Sequence, residues 1–326
     1  MNVLCAASHS WYVWVGFIGL IFAFLVLDLG VFHKKTHAVS MKEALIWAAV
    51  WFVAAMLFNL WVLFECGKEL GLQFFTGYLI EKSLSVDNLF VILLIFTSFG
   101  IPKLYQHRVL FWGILGALVM RGVLITLGAA LIARFDWIFY LFGIFLVWTG
   151  SKMYFENEEK FDHEKSIIVR IMRRIVPVAK GLRGEHFFVR QKGRVAVTVL
   201  FVALIVVEVS DVIFAFDSIP AIFAISSDPF IVFSSNVFAI LGLRSLYFVI
   251  AKAHDLFTHL KTGLAVILVF IGAKLLVKDI YHIPILLSLG IVMGILAIAI
   301  TVSIIMNRQE KKSPALRKKR HRKRKK

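Results

Sequence analysis

The sequence predicts an all-α polytopic membrane protein, and three observations carry that prediction. Hydrophobic residues make up 60% of the 326 positions. Apolar windows long enough to cross a bilayer recur along the chain. Basic residues gather in the segments between those windows and at the C-terminal end. A soluble domain is only about half apolar, whereas the mean hydropathy here is +0.84. The formal charge of +17 does not mark a nucleic-acid binder, because the cations sit in loops and a tail rather than over a folded face.

Nine spans are expected, at about 11–32, 43–65, 71–98, 107–133, 135–154, 196–225, 230–251, 262–277 and 283–307. Their lengths bracket the roughly 20 residues that a hydrocarbon core of about 30 Å requires, the longer ones allowing for tilt. The first fifteen residues lack a basic start and a small-residue cleavage site, so no cleavable leader is expected. Cytoplasmic loops are the basic ones. Lys34, Lys35 and Lys42 follow the first span, Lys103 and Arg108 the third, and Lys252 and Lys261 the seventh. The loop at 155–195 carries Arg170, Arg173, Arg174, Lys180, Arg183, Arg190, Lys192 and Arg194. All of these share one side if the N-terminus is outside and the C-terminus cytoplasmic, which nine spans permit. A bacterial inner membrane is the expected location. Cys5 and Cys66 both fall at the outer face in this topology. Two separate free thiols are expected there, with a disulfide tying the N-terminus to the second span as the alternative.

A repeat lies in the middle of the chain. Glu81, five residues, then Asp87-Asn88 matches Asp211, five residues, then Asp217-Ser218. Downstream, Ile114-Leu115-Gly116 matches Ile240-Leu241-Gly242, with Arg121 and Arg244 a little beyond each. Further on, Gly150-Ser151-Lys152 matches Gly272-Ala273-Lys274. The offset falls from 130 to 126 to 122 residues, as a duplication with shorter loops in its second copy would give. Three spans per copy force the two copies into opposite orientations, which is the inverted-repeat plan of many secondary transporters. The organisation is therefore read as two N-terminal spans (1–70), repeat one (71–154), a cytoplasmic loop (155–195), repeat two (196–280), a last span (281–307) and a basic tail (308–326).

Ionisable residues inside a span are unfavourable by roughly 2.5–3.5 kcal/mol each on insertion scales and point to function. Glu81 and Asp87 lie in the third span, Glu208, Asp211 and Asp217 in the sixth, and Asp28 late in the first. Asn88, Ser85, Ser210, Ser218 and Asn236 add neutral oxygens nearby. The alternative use of these carboxylates is a static network neutralised by Lys82, Arg121 and Arg244. At 100° per residue Glu81 shares a face with Asn88, and Asp211 with Ser218, while Asp87 and Asp217 point about 100° away. Pro220 has no N–H for the carbonyl of Phe216, so the sixth span is expected to kink or break at Asp217.

Carboxylate, amide and hydroxyl oxygens without Cys or His make a hard-cation site, suited to Mg, Ca or Mn rather than Zn or Cu. Crowded carboxylates hold protons when no cation is present, so metal and proton would compete. The metal ligands expected are Glu81, Asp87, Asn88, Glu208, Asp211 and Asp217, with Asp28, Ser85, Ser218 and Asn236 as secondary candidates.

The stretches Tyr78-Leu-Ile-Glu-Lys-Ser-Leu-Ser-Val-Asp-Asn, Glu208-Val-Ser-Asp-Val-Ile-Phe-Ala-Phe-Asp-Ser-Ile-Pro-Ala and Phe238-Ala-Ile-Leu-Gly-Leu-Arg244 closely resemble the TerC family of bacterial membrane proteins. The segment Glu185-His-Phe-Phe-Val-Arg190 is similar to the Alx branch of that family. The resemblance covers nearly the whole chain. It implies a manganese exporter, of a kind also labelled a tellurium-resistance protein or membrane-bound redox modulator. It also places the family's acidic motifs on the six ligands named above, with Asp28 matching less specifically.

Other features carry less. The acidic start of the loop, from Glu156 to Glu164, reads as a solvated turn, and residues 187–197 as a small hairpin. The tail rich in Arg and Lys reads as an orientation signal resting on anionic lipid. Neither a Cys-x-x-Cys nor a nucleotide-binding motif is present, so an enzyme is not expected. No resident cofactor is expected, Mn2+ being cargo. The other partners to consider are anionic lipid and a second copy of the chain, with nucleic acid excluded. A transporter of another substrate, such as an organic cation, and a non-transporting membrane modulator are the alternative classes.

Overall fold

The computed structural model describes residues 11–32, 40–135, 137–155, 184–191, 194–253, 260–281 and 283–312, some of them, Asp28 and Asp87 included, by backbone alone. The chain forms α1 (Trp11–Phe32), α2 (Met41–Cys66), α3 (Lys68–Ser98), α4 (Lys103–Arg134), α5 (Ile138–Phe155), β1 (Phe188–Gln191), β2 (Arg194–Val197), α6 (Val199–Phe223), α7 (Pro229–Leu241), α8 (Leu243–Ala253), α9 (Leu260–Leu276) and α10 (Ile285–Lys312). The two strands pair antiparallel, as the expected hairpin. The acidic run 156–164 and the tail beyond 312 lie outside the described residues.

The arrangement is inverted relative to a soluble protein. On α4, Val119, Val123, Leu127 and Leu131 form an exposed stripe at a spacing of four, while Arg121 is buried on the opposite face. On α10, Ile298, Ile300, Val302 and Ile305 are exposed while Ser288 and Ser303 are buried. Contiguous aliphatic surface with polar groups inside is the signature of a chain whose solvent is lipid. By length and composition, α2, α4, α5, α6 and α10 can each cross a membrane, and the bent pair α7–α8 makes a sixth. The apolar parts of α1 and α9, Trp11–Leu27 and Thr262–Leu276, are shorter, and Glu81, Lys82 and Asp87 interrupt α3.

Small residues let the helices approach, and their contacts give the directions. A Cβ on Gly150 would lie 2.7 Å from the Ala265 carbonyl oxygen, and one on Gly272 would lie 2.7 Å from the Gly143 oxygen. The register rises along α5 as it falls along α9, so these helices run antiparallel. Gly113 faces Val207 and Gly128 faces Ile219 and Phe223, so α4 and α6 run parallel. An aromatic cluster of Phe17, Phe58, Phe74 and Phe238 ties α1 and α2 to α3 and α7, with Phe58 and Phe238 at 4.8 Å between ring centroids.

Two expectations need correction. α6 runs unbroken through Pro220, because Ala215, Ile219, Ile222 and Phe223 pack into a cluster with Ile125, Ile132 and Val232 that holds its last turns. The break lies instead in the seventh span, which bends by 45° between α7 and α8 at Gly242. There Lys82 Nζ donates to the Ala239 carbonyl at 3.1 Å, a side chain competing for an oxygen of the helical ladder. A Cβ on residue 242 would sit 2.6 Å from that ammonium and 3.2 Å from Trp51 Cβ. Glycine is what leaves the space. The free-thiol expectation also fails at Cys66, which is disulfide-bonded; Cys5 lies outside the described residues.

Candidate functional site

Charged residues cannot stay inside an apolar bundle without partners, and the motif carboxylates find theirs on α4. Arg121 is 1% exposed and Glu81 is fully buried. Arg121 Nη1 donates to Glu81 Oε1, while Nε and Nη2 donate to Asp211 Oδ2 and Oδ1 at 3.2 and 3.0 Å. The same Nη1 lies 3.5 Å from Ser218 Oγ and 3.4 Å from Asn236 Oδ1. Asn236 Nδ2 in turn donates to Glu81 Oε2 at 3.1 Å. Residues from α3, α6 and α7 thus converge on one guanidinium from α4. The helical repeat explains the convergence on α6: Asp211 and Ser218 are seven residues apart and share a face.

Glu208 lies one turn before Asp211 on α6, with its carboxylate seated against the bare backbone of Gly116. A side chain at 116 would collide with it. Glu208 makes no hydrogen bond or ion pair with the described residues.

The other motif residues go elsewhere. Asn88 and Asp217 line a separate cavity of about 580 Å³ between α3, α5, α6 and α9, together with Leu84, Trp148, Thr149 and Lys152. Within it the Asn88 amide nitrogen and the Thr149 hydroxyl have no hydrogen-bond partner among the described residues, and neither has the nearby buried Ser85 hydroxyl. The side chains of Asp87 and Asp28 lie outside the description, so the expected pairing of Asp87 with Asp217 does too. Among the described residues no three of Asp, Glu, His and Cys converge as a metal cage. The physical reason is visible: a guanidinium occupies the space between Glu81 and Asp211. The split into an arginine-centred cluster and a cavity is something sequence spacing did not reveal, although Asp217, about 120° around the helix from Asp211, pointed towards it. From sequence, Lys152 and Gly116 were singled out only as repeat markers.

A family model described as "Integral membrane protein TerC family" matches residues 66–312. An "Uncharacterized membrane protein STKORF319" of Myxococcus xanthus is 50% identical over 303 residues, covering 93% of this chain and 95% of its own. A protein of Escherichia coli K12 named "Putative membrane-bound redox modulator Alx" is 47% identical over 304 residues, covering 90% of this chain and 95% of its own. An uncharacterized membrane protein of Rickettsia bellii is 42% identical over 292 residues, covering 90% of this chain and 97% of its own. No solved structure matches the chain.

Proposed function

The chain belongs to the TerC family of integral multi-pass membrane proteins, and from that premise we propose that it exports a divalent cation, manganese first among them. Glu81, Asp87, Asn88, Glu208, Asp211 and Asp217 supply the oxygens, and protons compete for the same carboxylates. The chain crosses a bacterial inner membrane nine times, N-terminus outside and C-terminus cytoplasmic, with its two three-helix repeats inverted. Anionic lipid holds the basic tail.

The observation that carries this reading is the convergence of the buried Glu81 and the partly buried Asp211, matched across the repeat, in one cluster with Ser218 and Asn236. Every donor there except the guanidinium is oxygen or amide, the ligand chemistry of a hard cation. The helix directions support the inversion. Antiparallel α5 and α9 are the third helices of the two repeats, and their contacts are self-matching: Gly143 meets Gly272 and Gly150 meets Ala265. Shifting each pair by the repeat offset exchanges one for the other, as a pseudo-twofold axis requires.

The test is cellular manganese content under manganese loading, with and without the protein. Lower content in cells that carry it supports export. Equal content, with the protein present in the membrane, rejects it. A non-transporting modulator of envelope redox or metallation state is the second reading, favoured by the name that the Alx relatives carry.

A further inference from the structure

The carboxylates that the proposed export requires are already bound to a cation. Arg121 directs Nε and Nη2 at Asp211 and Nη1 at Glu81, Ser218 and Asn236. A guanidinium keeps its charge in any protein environment, and this one is 1% exposed. A divalent ion bound to Glu81 and Asp211 needs their oxygens at about 2.0–2.6 Å. Those are the same oxygens, and two cations cannot share them at that range without strong repulsion.

We infer that Arg121 is the resident counter-cation of the empty site, and that the divalent ion loads only by displacing it. The inference rests on the export reading above. Glu208, grouped above with the ligands, serves Arg121 rather than the ion in this scheme: it is where the displaced guanidinium goes. It stands one turn before Asp211 on the same face of α6, against Gly116, which lies toward the N-terminal end of α4 from Arg121. Side chains on a helix lean in that direction, and α4 and α6 run parallel. Glu208 is free of hydrogen-bond and ion-pair partners among the described residues, so it can receive the guanidinium without losing another contact.

The charges then balance. In the loaded state, with Glu208 paired to the guanidinium, Glu81, Asp211 and Glu208 carry three negative charges against one on Arg121, so a divalent ion brings the cluster to zero and a monovalent ion leaves it at minus one. Buried charge favours the balanced state, so the exchange itself selects for divalent ions.

Mn2+ binding to the purified full-length protein, followed by loss of the free-ion electron paramagnetic resonance signal, tests this. Arg121→Gln removes the competitor and is expected to bind Mn2+ at least tenfold more tightly than wild type. Arg121→Lys keeps a charge but not the fork, so an intermediate gain is expected; it carries the test if Arg121→Gln does not fold. Glu208→Gln is expected to weaken binding in the wild-type background, to weaken it less in the Arg121→Lys background and to have no effect in the Arg121→Gln background. Unchanged or weaker binding in the Arg121 variants overturns the inference while leaving export standing. An equal effect of Glu208→Gln in wild type and in the Arg121 variants also overturns it, because Glu208 would then be a plain ligand. Mn2+ binding by neither wild type nor the Arg121 variants overturns the export reading and this inference together.

Discussion

Arg121 meets Asp211 through two parallel hydrogen bonds, from Nε at 3.2 Å and Nη2 at 3.0 Å, the fork geometry in which a guanidinium binds a carboxylate most tightly. Asp211 is 14% exposed and Arg121 1%. Removing one partner of a buried pair costs about 3–5 kcal/mol, because the other charge is left behind. Glu81 still holds Arg121, so Asp211→Asn is expected at the low end, read as a fall in the thermal midpoint of the detergent-solubilised protein. Asp279→Asn breaks only an exposed contact with Tyr140 and is expected to change stability by no more than about 0.5 kcal/mol.

Gly116→Ala tests the seat of Glu208. The new methyl overlaps the carboxylate, whereas a methyl at Gly113 would meet Val207 at an ordinary 3.4 Å. Manganese flux in vesicles is expected to fall several-fold in Gly116→Ala and to stay near wild type in Gly113→Ala. Equal flux in both variants would remove Glu208 from the pathway.

The crossing of α5 and α9 is expected to tolerate no Cβ. Gly150→Ala and Gly272→Ala each push a methyl to 2.7 Å from a carbonyl oxygen, and overpacking of this kind costs about 1–3 kcal/mol. Gly294→Ala on α10 meets nothing within 4 Å and is expected to be neutral or to stabilise by about 0.5–1 kcal/mol, the helix penalty of glycine. Chemical or thermal unfolding of the three variants checks the ranking.

Topology has its own test. Reporters fused after Arg174 and at the C-terminus are expected to score cytoplasmic, and one near Asp279 to score outside. A cytoplasmic score near Asp279 would reject the nine-span arrangement.

Much of this was legible in the sequence because it depends on local chemistry. Apolar windows fall on helices, since in lipid the backbone must satisfy its own hydrogen bonds. The spacing of Asp211 and Ser218 alone puts them on one face, and both reach Arg121. What was not legible depends on a second helix. The break at Gly242 comes from Lys82 of α3 competing for the Ala239 carbonyl, while the helix continues through the proline that sequence reasoning chose as a breaker, packed around Ile219 and Phe223. Sequence offered Arg121 as a neutraliser of the carboxylates in general. Only the fold assigns it to Glu81 and Asp211 and leaves Glu208 without a hydrogen-bond or ion-pair partner among the described residues.

The proposed carriage of a divalent ion across the membrane by these oxygens is tested most directly by manganese uptake into proteoliposomes, with wild type, Glu81→Gln, Asp211→Asn and Asp217→Asn compared at equal insertion. Expected are flux in the wild type, little competition from zinc at matched concentration because hard oxygens gain nothing from a softer ion, and loss of most flux in each variant. Full flux in all three variants would contradict it and return the carboxylates to a structural ion-pair network centred on Arg121.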